Sequence, residues 1–475
     1  MAAVALFPFR RWRRVSTLIG ISLCLLLAWL AWQVPIRQAI YLGPWRALSA
    51  LTVQDTLFVL GRQFVLSDAI RPILIIIYLT VAVWMGGGFA ARAGSFFVPL
   101  GLLIAATLTA TLAVRPFLYA SLLIELAALV AVPLLSPPGQ KVGRGVIRFL
   151  TYQTLGMPFI LFAGWILGQA TVFPLDFFQN AELTRAAWMA ALGLALLAGI
   201  FPFHTWISMV AEESHPYTAG FILFTVPTVI SIFLLPFVVE YILPLAPEFA
   251  FVSMRFIGVL MISLGSIWCA FQSHLGRMLG FAVIAETGYM ILALSLGPGE
   301  EAGMATLFLP EAMPIFFSQI LVRGVVMAVW ALSLSILYNQ RRPGRGNLEF
   351  RHVQGAARRA PLAALGLVLA HFTLAGLPLL AGFPVRLALW QSLAGLSLPA
   401  ALLTLVSSMG MLVAGTRTLA VLVTGEDLGK WKFSESFIQK LLLVAGWIML
   451  VLVGLFPQWF LGPISRAASA FIFTP

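Results

Sequence analysis

Apolar residues in this chain come in long unbroken runs, separated by short clusters of charge, glycine and proline. A run of about twenty such residues, coiled as a helix, matches the thickness of a bilayer core. Read this way, the sequence predicts about thirteen spans. They fall at roughly 16–34, 69–88, 95–113, 117–135, 146–168, 186–211, 218–240, 252–271, 278–296, 311–338, 362–393, 398–423 and 438–460. Residues 35–68 lack the pattern and read as a looped or amphipathic segment. The fold class that follows is an all-α polytopic membrane protein.

Two of the spans are interrupted in the same way. Residues Gly199 to Trp206 read GIFPFHTW, with Pro202 at the break and His204 beside it. Residues Gly376 to Arg386 read GLPLLAGFPVR, with Gly376, Pro378, Gly382 and Pro384 inside the apolar run and Arg386 at its edge. Helix breakers are tolerated at membrane depth only where protein or a wet cavity satisfies the freed backbone groups. Paired interruptions in two halves of a chain point to a transport pathway near the midplane. The pattern therefore suggests machinery that moves an ion.

Composition narrows the class further. Of 475 residues 61% are apolar and 10% charged, which excludes a soluble globular protein. The polar stretches, about twenty residues at most, are too short to build a second core. A net charge of +12 in a soluble chain would suggest nucleic acid, but here it reads as topology, and no nucleic-acid partner is expected. The segments predicted to face inward hold eighteen of twenty-nine basic residues. These are Arg10, Arg11, Arg13, Arg14, Arg92, Lys141, Arg144, Arg148 and Arg277, the run Arg341, Arg342, Arg345, Arg351, Arg358 and Arg359, then Lys430, Lys432 and Lys440. Predicted outer loops hold few, among them Arg37, Arg46, Arg62 and Arg185. The asymmetry predicts an odd number of spans, with a cytoplasmic N-terminus and an outer C-terminus. The expected location of this multi-pass chain is the cell inner (plasma) membrane. Basic loops of this kind also favour anionic lipid headgroups. The N-terminal arginines precede an apolar run, Ser16 to Val34, that is longer than a signal-peptide core and lacks a clear cleavage site. It reads as an uncleaved first span.

Cys24 and Cys269 both lie in apolar runs, and no CxxC pair, His cluster or carboxylate cluster offers a metal site. No glycine-rich nucleotide loop is present. No cofactor is expected, and no redox active site within this chain.

A few ionisable residues sit inside the predicted spans, where they are costly and generally face the bundle interior or water. Glu125 lies mid-span with no charge nearby in sequence. Desolvation of such a carboxyl suits proton exchange, while a structural Glu bonded to a neighbouring helix would give the same pattern. Glu286 has a similar setting, Arg323 lies in the span 311–338 with Glu311 at its end, and His371 precedes Arg386 in the second broken span. Glu, Arg and His in line could relay protons through water. Arg is a poor carrier, because it keeps its proton, but it sets a field. Glu286 paired with Arg323 or Arg386 as a static bridge is the competing reading. His204 either caps its broken helix or lies on a proton path. Glu212 and Glu213 read as a solvated loop, and the many Phe and Trp as lipid-facing or interfacial.

The motifs resemble the antiporter-like membrane subunits of respiratory complex I, whose relatives occur in Mrp-type antiporters, membrane-bound hydrogenases and some bicarbonate-uptake complexes. The resemblance covers roughly residues 60–460. It rests on PFHTW followed by PYTAG (Pro202–Trp206, Pro216–Gly220), on QSHLGRMLGFAVIAETGYM (Gln272–Met290), on GLPLLAGFPVR, and on LLIELAALVAVPLL (Leu122–Leu135). It implies two inverted five-helix repeats, each with a broken helix. On this chain they divide as residues 1–110, N-terminal spans; 111–245, first repeat; 246–425, second repeat; and 426–475, C-terminal span and tail. It also implies a central chain of Glu, Lys and His. Glu125 keeps the family's Glu, but Leu197 and Ile230 stand where lysines are expected. His274-Leu275-Gly276-Arg277 replaces an acidic and basic motif, Glu286 and Arg323 replace histidines, and Arg386 replaces a Lys or Glu. The resemblance implies that the family's first span is absent here, in keeping with thirteen spans and an inner N-terminus.

The resemblance implies a proton-translocating membrane-arm subunit of an NADH–quinone oxidoreductase (complex I) type assembly, driven by redox chemistry in other subunits. Its partners would be other membrane subunits, lipids, protons and water. The alternatives are a divergent, non-pumping scaffold of that complex, or a subunit of a cation/proton antiporter or bicarbonate-uptake complex.

Overall fold

A helix forms in every one of the thirteen apolar stretches. The computed structural model of the chain describes residues 2–34, 36, 39–41, 50–52, 55–59, 61–66, 70–115, 119–139, 141–170, 180–239, 243, 247–297, 308–340, 348–425, 431–460 and 462–464. Arg37, Arg46, Arg341, Arg342, Arg345 and Lys430 of the charge pattern lie outside the described residues. After a short N-terminal turn, α1 (Ala2–Leu6), come α2 (Arg13–Gln33), α3 (Arg71–Ala90), α4 (Phe97–Ala113), α5 (Ala120–Leu135) and α6 (Arg144–Ala170). The first broken helix is α7 (Asn180–Ala198) with α8 (Thr205–Glu213). Next are α9 (Pro216–Phe237), α10 (Pro247–Phe271), α11 (Leu275–Leu294) and α12 (Ala312–Asn339), then the short α13 (Phe350–Val353). The second broken helix is α14 (Pro361–Ala375) with α15 (Gly382–Leu396), and α16 (Leu398–Val423) and α17 (Phe437–Leu455) follow. Among the described residues nine helices are long and apolar enough to cross a membrane alone; α4, α5 and α14 are shorter apolar helices.

The all-α reading needs one amendment, in the segment read as looped or amphipathic. There β1 (Ala39–Tyr41) pairs antiparallel with β2 (Ala50–Thr52), and β3 (Thr56–Val59) forms a hairpin with β4 (Arg62–Val65), which also pairs with β5 (Val114–Arg115). The sequence TLFV followed by RQFV alternates too briefly to register as a strand pattern, and Gly61 (φ +73°) supplies the left-handed residue that closes the hairpin.

Burial identifies the centre of the bundle. The apolar windows of α9, α11 and α12 are 94%, 89% and 89% buried, against 28% for α2 and 22% for α17. A helix that is apolar all round belongs inside. Small residues bring these helices close. A Cβ on Gly258 of α10 would lie 3.0 Å from the Gly288 carbonyl of α11, and one on Gly265 would meet the backbone of Ala285. In the same way α8 is seated between two neighbours, since a Cβ on Gly280 of α11 would reach the Ser208 Cα at 2.5 Å and one on Gly145 of α6 the Val210 amide at 2.6 Å. The distal half of the first broken helix is therefore held by backbone contact on two sides.

Candidate functional site

The second break is built around an arginine. α14 ends at Gly376 (φ +76°), whose amide bonds to Thr373 O while Leu377 N bonds to Phe372 O. That pairing satisfies the terminal carbonyls of α14. The chain then turns through Pro378 and re-enters as α15 at Gly382, where a side chain would overlap the Thr373 carbonyl. A Cβ on Gly376 would lie 3.2 Å from Arg386 Cγ and from the Trp390 ring, so glycine at this turn makes room for the arginine stem. Pro384 lies in the first turn of α15, where the missing amide hydrogen costs nothing.

Arg386 reaches α11. Its Nη2 donates to Glu286 Oε1, and its guanidinium lies over the Tyr289 ring, 3.2 Å from the centroid. All three side chains are buried, and Arg386 Nε and Nη1 have no protein partner. Arg323 of α12 is buried completely and approaches the same turn of α11: Nη1 contacts Met290 Sδ at 3.1 Å, Nη2 donates to Leu223 O at 3.2 Å, and Nε has no partner. One turn, Glu286 to Met290, thus carries a carboxylate between two guanidiniums. The sequence left open whether Glu286 pairs with Arg323 or Arg386; the direct pair is with Arg386.

His371 sits on α14 and is also fully buried. Its Nδ1 lies 2.8 Å from Leu367 O, and its ring packs on Trp330 of α12 with centroids 4.0 Å apart. A carbonyl only accepts, so Nδ1 carries the proton and Nε2 holds the lone pair in the neutral ring. Nε2 has no protein partner, and neither do Trp330 Nε1, Ser333 Oγ and Trp447 Nε1. Gly366 of α14 lies between the last two, for its Cβ would be 2.6 Å from Ser333 Oγ and 2.9 Å from Trp447 Nε1.

The first half of the chain is arranged differently. Glu125 on α5 is half-buried and accepts from Thr154 Oγ1 of α6 at 2.7 Å. Leu197 and Ile230 are buried apolar side chains, and Leu197 fills the space over Gly156. Gln153 donates to Leu197 O at 2.8 Å. His204 follows Pro202 at the first break, stacks on Phe201, and makes no side-chain cap to α8. It lines a cavity of about 780 Å³ with Arg144, Ser208, Glu212, Glu213, Gln272 and Arg277. No hydrogen bond or ion pair among the described residues joins Glu125 or His204 to the Glu286 cluster.

Glu212 and Glu213 have defined partners, contrary to a solvated-loop reading. Glu212 pairs with Arg277 Nε at 2.5 Å, and Glu213 accepts from Gly145 N at 2.7 Å, satisfying a free amide in the first turn of α6. Tyr289 was detectable in principle, three residues beyond Glu286 on the same helix face. Trp330, Met290 and Glu435, which caps α14 through the Leu362 amide at 2.9 Å, left no signal in the linear sequence.

Residues 144–413 match the family described as NADH:quinone oxidoreductase/Mrp antiporter, TM. The chain belongs to this family. Among curated relatives, NADH-quinone oxidoreductase subunit 13 of Thermus thermophilus is 26% identical over 420 residues, covering 83% of this chain and 82% of that one. NADH-quinone oxidoreductase subunit N 2 of Solidesulfovibrio magneticus is 28% identical over 252 residues, covering 49% and 50%, so the match spans about half the length of that relative. The fold is that of one chain in respiratory complex I from Thermus thermophilus with bound NADH, with TM-score 0.72 and 22% identity over 97% of this chain and 95% of the other. The protein is a nearly all-helical, membrane-embedded member of that family.

Proposed function

We propose that this chain is an antiporter-like, proton-translocating subunit in the membrane arm of a complex I type assembly. Redox chemistry in other subunits drives it, and other membrane subunits flank it. The observation that carries the reading is the buried Glu286–Arg386 pair at the second helix break, with Arg323 on the same turn of α11. Family membership supplies the context. In this reading Glu286 is the proton-exchanging group. When the pair opens, the carboxylate loses its closest cation and gains affinity for a proton; when it closes, the proton leaves. The two arginines keep their charge and set the field. His371 Nε2 is a second acceptor, and the unpartnered polar atoms beside it support a file of water between α12 and α14. Glu125 and His204 belong to a more open first half, which feeds the centre through the cavity lined by Glu212 and Arg277. We place the first repeat at 111–245 and the second at 246–425, with the N-terminus cytoplasmic.

Leu197 and Ile230 favour a scaffold instead, because they put apolar groups where lysines would carry charge. Proton pumping by the intact parent assembly in vesicles separates the two. Glu286→Gln and Glu125→Gln, each checked for assembly, are expected to lower protons moved per electron. Unchanged ratios in both variants would establish the scaffold.

A further inference from the structure

The charges at the centre of the bundle do not balance. Arg323 and Arg386 are 0% and 2% exposed, and both stay protonated at any ordinary pH. Among the described residues Glu286 is the one carboxylate on the turn of α11 that both guanidiniums contact. Among the described residues no other Asp or Glu lies within the apolar length of α9, α10, α11, α12, α14 or α15; Glu248 and Glu311 sit at helix N-termini. His371 carries no negative charge in either protonation state, so it does not offset the arginines. The cluster therefore holds one positive charge more than it neutralises. Water satisfies hydrogen-bonding groups but does not cancel a charge, and an unbalanced charge in a low-dielectric interior is among the most costly arrangements known in proteins.

The free donors lie along that one turn of α11. Arg386 has Nε and Nη1 unpartnered, Arg323 has Nε unpartnered, and the Tyr289 hydroxyl beside them is also unpartnered and buried. Both guanidiniums are fixed against one turn of α11, Arg386 on Tyr289 and Arg323 on Met290. Three N–H donors and one hydroxyl, with a surplus positive charge and few competing acceptors, make the environment that strips and holds a small anion.

We propose that Arg323, Arg386 and Tyr289 bind a small monovalent inorganic anion, of chloride size, as a resident counter-ion in the membrane core. It completes the neutralisation that Glu286 begins. The site goes beyond proton movement and stands whether or not this chain conducts protons.

Chloride titration of the purified parent assembly, with chloride replaced by gluconate at constant ionic strength, tests this by mass action. The wild type is expected to gain roughly 2–4 °C in melting temperature as chloride saturates the site. Bromide should substitute for chloride, and Arg323→Gln, which removes the surplus charge, should abolish the dependence. Equal melting in chloride and gluconate, or a dependence that Arg323→Gln leaves intact, would overturn the proposal. If Arg323→Gln does not assemble, bromide-soaked wild-type crystals decide: an anomalous peak within contact of Arg386 Nη1 and Arg323 Nε supports the site, and its absence refutes it.

Discussion

Glu286 and Arg386 are a hundred residues apart in the sequence and joined directly in the fold. Removing one member leaves a buried charge with no partner, which typically costs about 3–5 kcal/mol. Glu286→Gln should therefore lower the melting temperature of the assembly strongly, while Glu286→Gln with Arg386→Gln recovers most of the loss. A double-mutant cycle reads the coupling directly. Tyr289→Phe keeps the ring under the guanidinium and should cost less than loss of the whole ring. Tyr289→Leu removes the ring and should cost about 1–2 kcal/mol in thermal unfolding. The candidate residues themselves were legible, because an ionisable side chain in an apolar run is conspicuous. Their pairing was not, since helix periodicity gives neighbours along one element and says nothing of contacts across elements. Glu286 had two possible arginines in the sequence, and the placement of α15, which packs on α12, α14 and α16, decided between them.

At the scale of elements, helix ends depend on side chains from elsewhere. Glu213 caps α6 and Glu435 caps α14, so Glu213→Ala and Glu435→Ala should each cost about 1 kcal/mol or more, seen as faster hydrogen exchange in the first turn of the capped helix. His274 caps α11 at the edge of the span, its Nδ1 accepting from the amides of Gly276 and Arg277 at 3.1 and 3.3 Å. Burial lowers this ring below its ordinary value of 6.5, and Arg277 adds to the effect, against opposing pulls from Glu212 and Glu349. A depressed histidine stabilises the fold as the neutral ring. That contribution is full above pH 6.5 and is lost as pH falls through the lower folded value. Protection of the Gly276 and Arg277 amides, taken relative to their intrinsic exchange rate at each pH, should therefore fall on mild acidification, and His274→Asn should flatten the response. Positions of the helices were legible from hydropathy alone. The strands near residues 56–65 were not, because four-residue strands carry too few positions for an alternation to stand out.

The whole molecule divides into a polar second half, where Glu286, Arg386, Arg323 and His371 are buried, and a first half whose centre is apolar at Leu197 and Ile230. The lysine substitutions were visible in the sequence; that Leu197 is packed against Gly156 needed the structure. Leu197→Lys should consequently reduce assembly, because it buries a charge beside Gln153, whose unpartnered Oε1 is a neutral acceptor and cannot cancel that charge. Family membership and fold leave the proton route as the claim to test. The most direct measurement is the number of protons pumped per electron by the reconstituted parent assembly, comparing wild type with the Glu286→Gln, Arg386→Gln double variant at matched assembly and electron-transfer rate. A lower ratio in the double variant is the result predicted here. An identical ratio would show that the central pair only holds helices together.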